Sequence, residues 1–143
     1  VEIMIVVAII ALLAVIAVPS FLRARQRSQN AKFINALRVA ADAIELYATE
    51  NPGRYPADVY PSILPPELVG YLDQTLDWTA PTPIGGNWDW DFNVFSIKAG
   101  VTVHSPGVNV EQLTEIDRQF DDGDLSTGRF RITAANRYSC IIE

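Results

Sequence analysis

The hydrophobic pattern of this chain changes twice. Ile3 to Val18 (IMIVVAIIALLAVIAV) carries no polar side chain, Pro19-Ser20 interrupts, and Phe21-Leu22 adds two apolar residues before Arg23, Arg25 and Arg27 close the segment. Ile3 to Leu22 is twenty residues. A helix of that length rises about 1.5 Å per residue and spans roughly 30 Å, one hydrocarbon core. Its β-branched residues lower helix propensity in water, but lipid forces a helix because only a helix satisfies its own backbone groups. The pattern predicts an N-terminal membrane or assembly helix. It does not read as a cleavable signal peptide, lacking a basic n-region and a small-residue cleavage site.

The second pattern is one-sided. Phe33, Leu37, Ala40 or Ala41, Ile44 and Tyr47 or Ala48 recur at three- and four-residue spacing, with Gln29, Lys32, Arg38, Asp42 and Glu45 on the opposite face. Asn51-Pro52-Gly53 ends the run. Residues 3–50 are therefore expected to form one rod of roughly 70 Å, bundled at one end and laid on a globular head at the other. The expected division is 1–52 for the helix and 53–143 for the head.

The head reads as short strands between turns. Residues 54–72 are proline-rich and mostly extended, with a short helical turn at Pro66 to Val69 and Gly70 after it. Thr79 to Gly86 is a turn region. Trp88, Trp90 and Phe92 alternate with Asp89 and Asp91, which predicts a strand over 87–93. A second strand follows over 96–104, with a bulge at Gly100. Asn109 and Gln112 have capping-box spacing, and Val110, Leu113, Ile116 and Phe120 continue at helical intervals. Two final strands, 128–133 and 137–142, close around an Ala-Asn turn. The expected fold is α+β: a long helix packed on an antiparallel sheet of about four strands, with one small extra helix.

Charge sharpens this division. The net charge is −6. Ser20 to Val39 holds five basic residues (Arg23, Arg25, Arg27, Lys32, Arg38) and no acid, whereas beyond Asn51 acids outnumber bases thirteen to six. The acidic head argues against nucleic acid as its main partner. The basic run suits lipid phosphates beside a membrane segment, or acids such as Asp42 and Glu45 on neighbouring helices. Taken alone, the positive-inside rule would put the head in the cytoplasm.

Glu2 is the anomaly: a carboxylate at the head of an apolar wall is costly unless it reaches headgroups or finds a cation. Glu2 to Ile10 (EIMIVVAII), followed by Ala17-Val18-Pro19-Ser20-Phe21, resembles the N-terminus of type IV pilins and the related pseudopilins of type II secretion. The resemblance covers about the first third of the chain. In that family the mature chain normally begins with a methylated aromatic residue and the acid comes fifth, so three residues are expected to precede Val1. A basic leader, removed by a prepilin peptidase, would set the orientation and resolve the conflict with the positive-inside rule. The resemblance implies that Glu2 neutralises a neighbour's terminal amine during assembly. It also implies that Pro19 and Phe21 belong to the assembly segment, and that Ile3, Val7, Ile10, Leu13 and Ile16 line the helix that leaves the membrane for the filament. Ala11 stands where a glycine is common, and the cysteine pair of many pilins is missing.

The remaining candidate sites read as structural. Asp121, Asp122 and Asp124 offer hard oxygen ligands, and calcium is the ion they would suit, but the spacing is not that of an EF-hand. A solvated turn is the preferred reading, with no cofactor or metal expected. His104, the sole histidine, has no Cys or His partner at ligand spacing and reads as a strand-end residue. Cys140 is alone and reads as a small buried hydrophobe. Trp88, Trp90 and Phe92, with Trp78, Tyr55 and Tyr60, read as core, the alternative being an adhesive or sugar-binding platform. No nucleophile elbow, phosphate loop or acid-base dyad stands out, so no enzyme is expected.

The expected function is a filament subunit: anchored in the bacterial inner membrane, then built by pilus machinery into a helical homopolymer on the cell surface. Two alternatives share the sequence pattern. One is a pseudopilin forming a short periplasmic filament with the secretion machinery. The other is a membrane-anchored periplasmic binding module that never polymerises.

Overall fold

The computed structural model describes residues 1–72 and 74–143. One helix, α1 (Glu2–Glu50), runs through both sequence patterns. Pro19 lies inside it and withdraws one backbone hydrogen bond, the one that would reach the Val15 carbonyl. The helix ends at Asn51, whose amide donates to the Tyr47 carbonyl at 2.9 Å. A 3₁₀ turn (Pro66–Leu68) leads into the short α2 (Val69–Leu72). Gly70 therefore sits within the helical turn, not after it.

Four strands form one antiparallel sheet in the order β1-β2-β4-β3: β1 (Asn87–Phe92), β2 (Ala99–His104), β3 (Phe130–Ala134) and β4 (Arg137–Ile141). Between β2 and β3 lies α3 (Val110–Phe120). The α+β architecture is the one the sequence predicts.

The register sorts the side chains onto two faces. Trp90, Val101, Cys140 and Phe130 are opposed across the four strands and face α1. Asp89, Thr102, Ser139 and Arg131 make the equivalent row on the outer face. On the inner side Phe33 stacks on Trp88, with centroids 5.6 Å apart, and meets Phe130 edge-on at 6.0 Å. Leu37, Ala40, Ala41 and Ile44 complete the buried stripe of α1. The stripe extends further back than its spacing predicts, to the buried Asn30, and is widened by the buried Ile34.

Two strand details depart from expectation. β2 begins at Ala99, because residues 93–98 are spent on the connection from β1. Gly100 is not a bulge: it pairs regularly with Asp91 and Ile141. Its small size serves close packing instead, since a Cβ there would lie 2.9 Å from Ile97 Cδ1 and 3.1 Å from the Cys140 carbonyl oxygen. The irregularity falls on β3, between Ile132 and Ala134. The free edge of β1 is covered by the segment before α2. Ser62 donates its amide to the Trp88 carbonyl at 2.8 Å, and Trp90 Nε1 donates to the Pro56 carbonyl at 3.1 Å.

Candidate functional site

The largest unsatisfied surface is the first half of α1. It is long and apolar enough to cross a membrane, and none of its most apolar stretch is buried by the rest of the chain. Ile3, Val7, Ile10, Leu13, Ile16 and Phe21 are all exposed. With the equally exposed Met4, Leu12 and Val15 they wrap the whole helix circumference, so no single partner face is defined. Glu2 stands in the first turn, where a negative charge suits the helix dipole.

Where the rod enters the head, polar contacts replace apolar ones. Gln112 Nε2 donates to Asn30 Oδ1 at 2.8 Å, and both residues are buried. Asn109 caps α3 by accepting the Gln112 amide at 2.9 Å. The capping half of the expected box is present, but the Gln112 side chain turns to α1 instead of back to Asn109. Farther along, Arg38 sits over the Phe120 ring, 5.7 Å from its centroid, and Arg129 reaches Glu45 at 3.5 Å. Sequence reasoning missed the Asn30–Gln112 pair. A polar residue on the apolar stripe at Asn30 was the available signal.

The acidic loop after α3 is built largely from its own hydrogen bonds. Asp121 Oδ2 accepts the Arg129 amide. Asp122 accepts the Asp124 amide at 2.8 Å and the Thr127 hydroxyl at 2.9 Å. Asp124 Oδ1 accepts the Ser126 amide and hydroxyl at 3.0 and 2.6 Å. These bonds hold the Asp122 and Asp124 carboxyls below their ordinary range. Gly128 (φ +71°) is required here, because a Cβ would press on the Asp121 carboxylate.

Beneath the loop lies a residue the sequence did not single out. Asp117 is fully buried on α3, and neither of its carboxylate oxygens meets a donor in hydrogen-bond geometry. Burial first, then the charges of Asp122 and Asp121, push its pKa up to about 6. Oxygens of Asp117, Asp121 and Asp122 lie within 4.8 Å of one another, a donor set that fits a hard divalent cation. Asp124 is not part of that cluster.

The aromatic residues are core. Trp78, Trp88 and Trp90 are buried, and Trp78 stacks on Trp88 with centroids 5.9 Å apart. Tyr55 packs against Trp90 and Phe92. Tyr60 is the exception, 81% exposed. Cys140 is free and buried, and burial pushes its thiol up to about 11, which makes it inert at neutral pH. His104 ends β2.

Compared with protein-family models, curated proteins and solved structures, the chain matches none. What it does must be argued from its own surfaces.

Proposed function

We propose that this protein is the structural subunit of a type IV pilus-like filament, in which the apolar half of α1 is covered by the same segment of other copies. The observation that supports it most is a helix whose second half is built into a folded head while its first half has no covering of its own. Before assembly lipid covers that half; in the filament neighbouring helices do. Glu2, at the tip of the helix, sets axial register by meeting a neighbour's terminal amine. A carboxylate among apolar helices is tolerated only when paired, which makes register selective. The head, net acidic and stabilised by its own core, coats the outside.

Within this reading, calcium held by Asp117, Asp121 and Asp122 would fasten the loop after α3. Support comes from the two unpartnered oxygens of Asp117.

The same helix would serve a pseudopilin, so the test separates filament length and place. Immunolabelled material sheared from cells is viewed by electron microscopy. Labelled surface filaments microns long are the expected result. Label confined to the envelope would overturn the pilus reading in favour of a periplasmic filament or a plain anchor.

A further inference from the structure

The outer face of the sheet should be wet, yet it hides two carboxylates. Asp89 and Asp91 on β1 are both essentially without solvent exposure. One guanidinium serves both: Arg137 Nη1 lies 2.5 Å from Asp89 Oδ2 and 2.9 Å from Asp91 Oδ1. Thr102 donates to Asp91, and its hydroxyl continues to Ser139 at 2.6 Å and thence to Thr133 at 2.7 Å. Asp89 Oδ1 is left with no partner. Two acids share one base, so a buried unit of negative charge remains whenever both are ionised.

The cover over this cluster is the connection between β1 and β2. Phe95 lies over the Arg137 guanidinium, 4.4 Å from ring centroid to Cζ. Ile97 reaches the face of Gly100, the residue opposite Asp91. The loop holds this position with three non-glycine residues in the left-handed region: Asn93 (φ 56°), Phe95 (φ 52°) and Ser96 (φ 63°). Such residues are each held against a local preference for other conformations. Two backbone hydrogen bonds within the loop, Asn93 amide to Lys98 carbonyl at 2.9 Å and Ile97 amide to Val94 carbonyl at 3.0 Å, hold its shape, and the Phe95 contact with Arg137 ties it to the cluster.

We propose that the Asn93–Lys98 loop is a proton-gated cap, closed over the Asp89–Asp91–Arg137 cluster in acid and lifting from it as the solution turns neutral. A proton on Asp89 removes the unpaired charge and lets its carboxyl donate as well as accept. Without the proton, water reaching Oδ1 through an open loop is the available relief. The surrounding charges leave this balance in place. Asp91 and Asp58 both oppose ionisation of Asp89, and Arg137 alone favours it at close range. His104, across the ladder from Arg137, and Arg131, beside Ser139, are the other titratable groups in the outer-face rows. Lys98, at the end of the loop, is paired with Glu143.

Burial raises the Asp89 pKa to about 6 in the closed state. An open, hydrated carboxyl titrates near its ordinary value, so protons favour closure, and closure weakens as pH rises through about 6. The closing constant should fall about tenfold between pH 5 and pH 8. Hydrogen exchange of the full chain in detergent micelles, corrected for intrinsic pH effects, reads this directly. Peptides spanning 93–98 should lose about tenfold protection between those pH values, while β2 and β4 serve as internal references. Asp89→Asn should hold the loop protected at both. Phe95→Ala should leave it unprotected at both with the sheet intact, and it decides the matter should Asp89→Asn not fold. Equal protection of the wild-type loop at both pH values would overturn the proposal. So would a pH dependence that survives Asp89→Asn, or a Phe95→Ala loop as protected as wild type.

Discussion

The two halves of α1 are made of similar residues in opposite surroundings. Phe33, Leu37, Ala40 and Ile44 are fully covered by the sheet, α3 and the turn before β1, while Ile3, Val7, Ile10, Leu13 and Ile16 touch only their own helix. A stripe and a cylinder need different partners. The stripe at 33–44 has one apolar side and is satisfied once a single sheet packs on it. The cylinder at 3–22 is apolar in every direction and can be satisfied only by lipid or by several helices at once. The contrast separates what folds the head from what is proposed to assemble it.

The largest effect that would break the contrast is in the head. Phe33→Ala should destabilise the head by about 3–5 kcal/mol, because it empties the stack between Trp88 and Phe130. Leu13→Ala, an equally apolar deletion, should change head stability by less than about 0.5 kcal/mol and lower filament yield instead. Chemical denaturation followed by tryptophan emission checks both. A head that loses comparable stability on Leu13→Ala would mean the two halves are not independent.

Next comes acid. Asp89 and Asp117 both have pKa values raised to about 6, mainly by burial. Each binds its proton more tightly folded than unfolded. The stability this contributes is fully present below about pH 3.8 and is lost as pH rises through about 6. The head should therefore be less stable at pH 7.5 than at pH 5, by about 1.4 kcal/mol from Asp89. Asp89→Asn should flatten that part of the profile. Global denaturation curves across pH measure it.

Smaller shifts sharpen the head side of the comparison. Calcium should raise the melting temperature by a few degrees, about 1 kcal/mol for a domain of this size, and Asp117→Ala should abolish the rise. An unchanged melting temperature in millimolar calcium would remove the ion from the account. Cys140→Ser should lower stability by about 1 kcal/mol or more, since it buries a hydroxyl where a thiol packed, and wild-type Cys140 should resist thiol reagents until the head unfolds.

The elements legible in the sequence are those whose pattern is local. The apolar cylinder, the stripe from Phe33 to Ile44, the Trp88–Trp90 alternation and the Asn109 cap each follow from spacing alone. Long-range geometry was not readable. Asp117 looks like an ordinary polar position on α3; only the fold shows that the following loop closes over it. Gly100 suggested a bulge because a glycine in a strand often marks one, but its size is set by Ile97 and the Cys140 carbonyl, contacts from the loop before it and from β4. Asp89 and Asp91 fit the solvent side of an alternating strand; only the fold shows them buried, paired to Arg137 with Phe95 over its guanidinium. Asp124 looked like a ligand beside Asp121 and Asp122, yet the loop turns it toward Ser126.

The central claim is that other copies of α1 cover the exposed cylinder. The direct measurement is oxidative cross-linking in intact cells of single-cysteine substitutions around the helix, Val7→Cys, Leu12→Cys, Leu13→Cys and Val15→Cys. The account predicts a ladder of dimers and higher multimers at several of these positions, lost when Glu2→Ala is added. Monomer alone at all four positions would contradict it.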